Sequence, residues 1–231
     1  MPHQQQAIYQ LTHSIIRYLE QHHFKNPGVQ ALLNKLGQMD LSLSNMQNKP
    51  PQRSRHDKTL TNAISGISST PLMTIASSLS AANEHLQWRE DDGLYYNQKA
   101  DLGDGYRNCN LHSLLIGPDA CGFQQADFNL GVFVLGTRTL YRDHRHAASE
   151  LYINLSERSG WRLSGGDWRD YSAGSIIWNA PNAVHATRVY EKPFISVFAW
   201  LENIHSPCVV VPRKDWETIE LALNRMDHPS N

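Results

Sequence analysis

Tyr141-Arg142-Asp143-His144-Arg145-His146-Ala147-Ala148-Ser149-Glu150-Leu151-Tyr152 is the stretch that decides the fold of this chain. It sets two histidines two residues apart, a carboxylate four residues after the second, and a tyrosine two beyond that. In an extended chain, side chains at even separation share one face of a sheet. His144, His146, Glu150 and Tyr152 are therefore expected to point into one cavity. Two imidazoles and a carboxylate form a donor set suited to iron, zinc, manganese or nickel. The stretch predicts a metal site carried on β-strands.

A site for one ion needs ligands from more than one strand. Downstream, Gly174-Ser175-Ile176-Ile177-Trp178-Asn179-Ala180-Pro181-Asn182-Ala183-Val184-His185 runs a strand into a Pro-Asn turn, and His185 opens the next strand. Around these two segments the texture is that of an all-β region, with short apolar runs punctuated by glycine, proline and aspartate. Strands are expected over 111–116, 128–135, 138–142, 149–155, 161–164, 174–178, 184–190 and 194–201. So many short strands suggest a barrel or jelly roll.

Before about residue 93 the pattern is helical. Ile8, Leu11, Ile15 and Leu19 recur at spacings of three and four, as on an amphipathic helix. Asn26-Pro27 reads as an N-cap with proline at the first helical position, followed by the stripe Val29, Leu32, Leu33 and Leu36. The polar run from Asp40 to Lys58 reads as a long loop. Thr70-Pro71 opens another helix, with Leu72, Ile75, Ala76, Leu79 and Leu86 on one side. Trp216, Ile219 and Leu223 mark a C-terminal helix. The expected division is a helical N-terminal cap over 1–92, a β-barrel with the metal site over 93–212, and a C-terminal helix and tail over 213–231. The fold class is mainly β with a helical N-terminal part (α+β).

Composition bounds the partners. Among 231 residues the formal net charge is −1 and 19 % are charged, so no basic stripe argues for nucleic acid. No apolar run approaches the roughly 18 residues that suggest a membrane span. The start of the chain lacks the charged and apolar regions of a signal peptide, and Cys109, Cys121 and Cys208 lack CxxC spacing. Reduced, buried thiols and a cytoplasmic location are the expectation. Helix packing between subunits, giving a homodimer, is compatible with so large a helical part.

Taken together, H-x-H-x3-E followed by G-x6-P-x3-H resembles the two metal-binding motifs of the cupin superfamily. That resemblance implies a small β-barrel whose mouth holds one divalent transition metal on His144, His146, Glu150 and His185. The chain departs from the general pattern in turns. Arg138 and Glu157 stand where glycines are usual, Ala183 replaces the glycine of P-x-G, and His185 arrives one residue early. Within the superfamily, His146-x3-Glu150-x-Tyr152, preceded by Tyr141 and followed by the His185 segment, looks like the cupin-type dimethylsulfoniopropionate lyases.

The reaction so implied is β-elimination of a sulfonium zwitterion to acrylate and dimethyl sulfide. A free tyrosine, with a pKa near 10, is a poor base at neutral pH, but a nearby divalent cation favours phenolate. Tyr152, two residues past Glu150 and on its face, is placed to remove the proton alpha to the carboxylate, and the resemblance implies the same role. Tyr141 is separated from His144 by an odd number, so it joins the site only through a β-bulge near Arg142-Asp143. Aromatic faces suit a sulfonium through cation–π attraction, with Trp178, Trp200, Phe133 and Phe198 as candidates. Arg188, three beyond His185, is a candidate for the substrate carboxylate. The same ligands would serve an iron-dependent cupin oxygenase acting on a small thiol or acid, or a non-enzymatic metal or small-molecule sensor.

Overall fold

The computed structural model describes residues 2–21, 26–91, 95–96 and 99–225. The expected boundary at 92/93 and the tail beyond Arg225 lie outside the described residues. Helix α1 spans Pro2–Glu20 and buries Ile8, Leu11, Ile15 and Leu19, the stripe read from the sequence. Helix α2, Pro27–Leu36, starts as its cap signal predicts: the Asn26 side chain accepts the Gly28 N–H at 2.9 Å. The 40–58 loop ends in a helix the sequence reading did not anticipate, α3 (Asp57–Ser65), which buries Leu60, Ala63 and Ile64. Helix α4, Met73–Ala82, follows a short 3-10 turn at Thr70–Leu72 and packs against α1. Among the described residues, no helix is long and apolar enough to cross a membrane.

After the short helix α5 (Asp104–Asn108), the chain shuttles between two sheets. The six-stranded sheet holds β1 (Asn110–Gly117), β2 (Phe123–Gln124), β3 (Asn129–Leu135), β5 (Glu150–Asn154), β8 (Ile176–Asn179) and β10 (Phe194–Trp200), in the order β2-β1-β3-β10-β5-β8. The five-stranded sheet holds β4 (Leu140–Arg145), β6 (Arg158–Leu163), β7 (Trp168–Ser172), β9 (His185–Arg188) and β11 (Val209–Val210), in the order β11-β4-β9-β6-β7. Apart from the parallel β1–β2 pair, the named strands pair antiparallel. This is the two-sheet jelly-roll arrangement that the sequence predicts. Helix α6, Trp216–Arg225, closes the described chain against β4.

Period-two alternation sorts the six-stranded sheet into two faces. Leu151 and Ile153 of β5, Ile195, Val197 and Ala199 of β10, and Leu130, Val132 and Val134 of β3 join one hydrophobic core with α1–α4. Each such Leu, Ile or Val contributes roughly 1.5–3 kcal/mol when fully buried. The helices thus cover the outer face of the sheet and share its core. The opposite parity faces the barrel interior, where Tyr152, Phe198, Trp200 and Phe133 meet Tyr141 from the other sheet. Cys109, Cys121 and Cys208 are free and buried, as expected.

Candidate active site

The five-stranded sheet supplies the first half of the site. On β4 and β9, Tyr141 is opposite Thr187 and His144 is opposite His185, so three steps on β4 match two on β9. The extra residue is a β-bulge at Arg142-Asp143, and it turns an odd separation into a shared face. The rings of Tyr141 and His144 stack with centroids 4.1 Å apart and an interplanar angle of 25°. The two bulge residues face away from the barrel interior. Arg142 forks onto Glu220 of α6 at 2.9 Å and lies over the Trp216 ring. Asp143, fully buried, accepts from Arg162 Nε at 2.9 Å and from Trp216 Nε1 at 2.8 Å.

His146 follows β4, Glu150 opens β5 and His185 opens β9, and together with His144 they are 1–3 % exposed. The three histidines offer ring nitrogens that all lie within 4.8 Å of one another. Each is oriented by its own backbone. His144 Nδ1 contacts the Arg142 carbonyl at 2.8 Å, His146 Nδ1 that of Ala148 at 2.9 Å, and His185 Nδ1 that of Ala183 at 2.9 Å. A carbonyl only accepts, so this geometry assigns a proton to Nδ1 and leaves Nε2 as the ring nitrogen offered to a ligand. The Nε2 atoms of His146 and His185 both lie 3.2 Å from Glu150 Oε2. For His185 the approach falls outside hydrogen-bond geometry, and its Nε2 is a buried atom with no hydrogen-bond partner among the described residues.

Protonation states point the same way. Burial, reinforced by His185 and His146, drives the His144 pKa well below its ordinary value, so its ring is neutral. Burial alone would raise the Glu150 pKa, but contacts with His146 and His185 outweigh it and hold the carboxylate ionised. Three imidazoles turned outward from their own carbonyls, beside an ionised carboxylate, therefore fit a divalent cation.

Beside these groups lies a cavity of about 40 Å³, lined by Tyr106, Tyr141, Glu150, Tyr152, Trp200 and other residues. Tyr152 lies beside Glu150 in this cavity; burial, then that carboxylate, push its pKa well up. Tyr141 lies 2.6 Å, hydroxyl to hydroxyl, from Tyr96 and stacks on Tyr106 at 4.4 Å. Burial, then Tyr106 and Tyr96, raise its pKa also. A larger pocket of about 320 Å³ lies outside this one and shares Tyr95 and His112 with it as walls.

Two expected substrate contacts lie elsewhere. Trp178 stands on the outer face of β8, packed under α2 so closely that a Cβ on Gly28 would come within 2.1 Å of its ring. Its neighbours Ile177 and Asn179 are the residues of β8 that face inward. Arg188 points away from the cavity, its guanidinium 4.9 Å from the Trp168 ring centroid and 3.4 Å from Asp170. Its odd spacing from His185 puts it on that side of a regular strand. Conversely, Tyr95, Tyr96, Tyr106 and Asn179 were not singled out from the sequence. The tyrosines sit in a stretch without periodicity, and only the fold brings them to the barrel mouth. Trp200 was considered only as an aromatic face, yet its indole N–H donates to Glu150 Oε1 at 2.7 Å.

Residues 25–196 match the family model described as dimethylsulfoniopropionate lyase. The dimethylsulfoniopropionate lyase DddQ of Ruegeria pomeroyi is 26 % identical over 146 residues, covering 62 % of this chain and 69 % of its own length. Among solved structures, the fold is similar to that in the crystal structures of the DMSP lyases RdDddP and RnDddQII. There the TM-score is 0.70 at 19 % identity, over 90 % of this chain and 100 % of the other. It is also similar to the crystal structure of DddQ from Ruegeria pomeroyi DSS-3, with a TM-score of 0.65 at 20 % identity over 89 % of this chain and 96 % of the other.

Proposed function

This chain belongs to the dimethylsulfoniopropionate lyase family, and from that premise we propose how its site performs the elimination. The enzyme is a carbon–sulfur lyase that cleaves dimethylsulfoniopropionate to acrylate and dimethyl sulfide. In our reading, His144, His146 and His185 through Nε2, and Glu150 through Oε2, hold one divalent transition metal ion. When bound, such an ion supplies positive charge that stabilises the substrate carboxylate as its alpha carbon becomes enolate-like and that favours tyrosinate in the same cavity.

The convergence of two tyrosines on the face of Glu150 carries this reading. One tyrosinate oxygen takes the proton alpha to the carboxylate. The electron pair left behind forms the carbon–carbon double bond, and the carbon–sulfur bond breaks with its pair staying on sulfur. The sulfonium charge is thereby neutralised, and the proton remains on the tyrosine until solvent recovers it.

The sequence favours Tyr152 as base, whereas the contacts around the two hydroxyls favour Tyr141. Tyr152 lies beside the Glu150 carboxylate, which opposes a second negative charge. Tyr141 lies 2.6 Å from the Tyr96 hydroxyl, which can donate to a phenolate. We therefore assign Tyr141 as the base and Tyr152 as the residue that steadies Glu150 and the substrate. The test is headspace dimethyl sulfide from purified wild type, Tyr141→Phe and Tyr152→Phe. General base catalysis is worth about 10²–10⁴-fold, so Tyr141→Phe should lose that much kcat while Tyr152→Phe loses less. The opposite order restores Tyr152 as base, and full activity in both variants removes tyrosine from the chemistry.

A further inference from the structure

We propose that Trp200 is a positioning residue that fixes how Glu150 presents itself to the metal, a reading that rests on the metal site proposed above. Trp200 ends β10 on the inner face, 6 % exposed, and lies directly opposite Glu150 in the antiparallel β10–β5 pair. Its Nε1–H donates to Glu150 Oε1 at 2.7 Å. The other oxygen, Oε2, is the one that lies 3.2 Å from both His146 Nε2 and His185 Nε2. One oxygen is thus occupied by the indole while the other faces the histidines, which sets the carboxylate up as a one-oxygen ligand.

The indole suits this task because its nitrogen donates and cannot accept or ligate. It can hold a carboxylate oxygen but cannot compete for the ion. The same ring also lies over the His146 imidazole, centroids 4.4 Å apart at 31°. One side chain therefore braces two of the four proposed ligands, Glu150 by hydrogen bond and His146 by ring contact. Asn179 adds a longer contact to Oε2, at 3.4 Å. Phenylalanine at position 200 would keep an aromatic ring against His146 but leave Oε1 buried and unpaired, free to turn toward the ion.

Partners that orient metal ligands are worth about 10–100-fold in metal affinity. The experiment strips the full chain of metal with a chelator and titrates Zn²⁺ in competition with a chromophoric chelator. Trp200→Phe should bind Zn²⁺ at least about tenfold more weakly than wild type. In a Glu150→Ala background the same substitution should have little further effect, because the group it acts on is gone. Equal loss in both backgrounds would mean that Trp200 acts by packing alone and would overturn the proposal. The unsubstituted, ¹⁵N-labelled chain gives a second reading that does not depend on how Trp200→Phe folds. The Trp200 indole N–H resonance should move with the first equivalent of Zn²⁺, together with the imidazole resonances of His144, His146 and His185. An indole resonance that stays still while those imidazoles move sinks the proposal for Trp200 alone. If no imidazole moves, the metal reading beneath it falls as well.

Discussion

Replacing Asp143 by alanine tests whether α6 holds the β-bulge in place. Asp143 is 0 % exposed and accepts two hydrogen bonds from Arg162 and one from the Trp216 indole. Removing one partner of a buried ion pair costs about 3–5 kcal/mol. Arg162 keeps a second partner, Asp215, whose side chain is 46 % exposed, so the low end of that range applies. Losing the indole's bond to a charged group adds about 1.5 kcal/mol, for a total near 4.5 kcal/mol. With a urea m-value of about 2 kcal/mol/M, the unfolding midpoint should fall by about 2 M. The assay is urea denaturation of chelator-treated protein, followed by tryptophan fluorescence. Asp143→Asn retains an oxygen for the indole but loses the charge, so it should fall between wild type and Asp143→Ala. Activity should drop further than stability accounts for, because a relaxed bulge turns Tyr141 off the face it shares with His144. A midpoint change below about 0.5 M for Asp143→Ala, well under the magnitude expected of a buried pair, would refute the reasoning.

Three further outcomes follow from other contacts. His144 has its folded pKa depressed by burial and by its neighbouring histidines. The unfolded chain therefore binds a proton that the folded chain refuses once the pH drops below about 6.5. Metal-free protein should lose stability on acidification from that point, with a slope approaching about 1.4 kcal/mol per pH unit that His144→Gln abolishes. An unchanged slope in the variant would place the titration on another group. Trp178→Ala should lower stability by about 2 kcal/mol or more through the lost packing on α2. The KM for dimethylsulfoniopropionate should stay put in Trp178→Ala and in Arg188→Ala, and a tenfold rise in either would contradict their positions on the outer faces.

Much of this site was readable from parity and spacing. Glu150 and Tyr152 share the inner face of β5, and His185 pairs directly with His144, because a regular strand leaves little freedom in where alternate side chains go. Parity failed where the strand is irregular or the chain turns. The bulge that restores Tyr141 depends on Asp143 finding Arg162 and Trp216, residues distant in sequence. Across the Pro181-Asn182 turn the count restarts, so nothing in the spacing placed Trp178 relative to His185. Strand β7 was missed because Arg169 and Asp170 are exposed on an edge, leaving no apolar alternation to read. Helix α3 was missed at its start, where a polar run hides the turn into Leu60, Ala63 and Ile64. The role of Trp200 needs the β10–β5 register, which a single sequence does not contain.

The distribution of the four proposed ligands over two sheets has a mechanical meaning. His144 and His185 belong to the five-stranded sheet, whereas Glu150 belongs to the six-stranded one. An ion bound to all of them is a rivet through the two halves of the barrel. Resistance to unfolding should then rise and fall with metal content. The group that performs the chemistry would also fasten the walls around it.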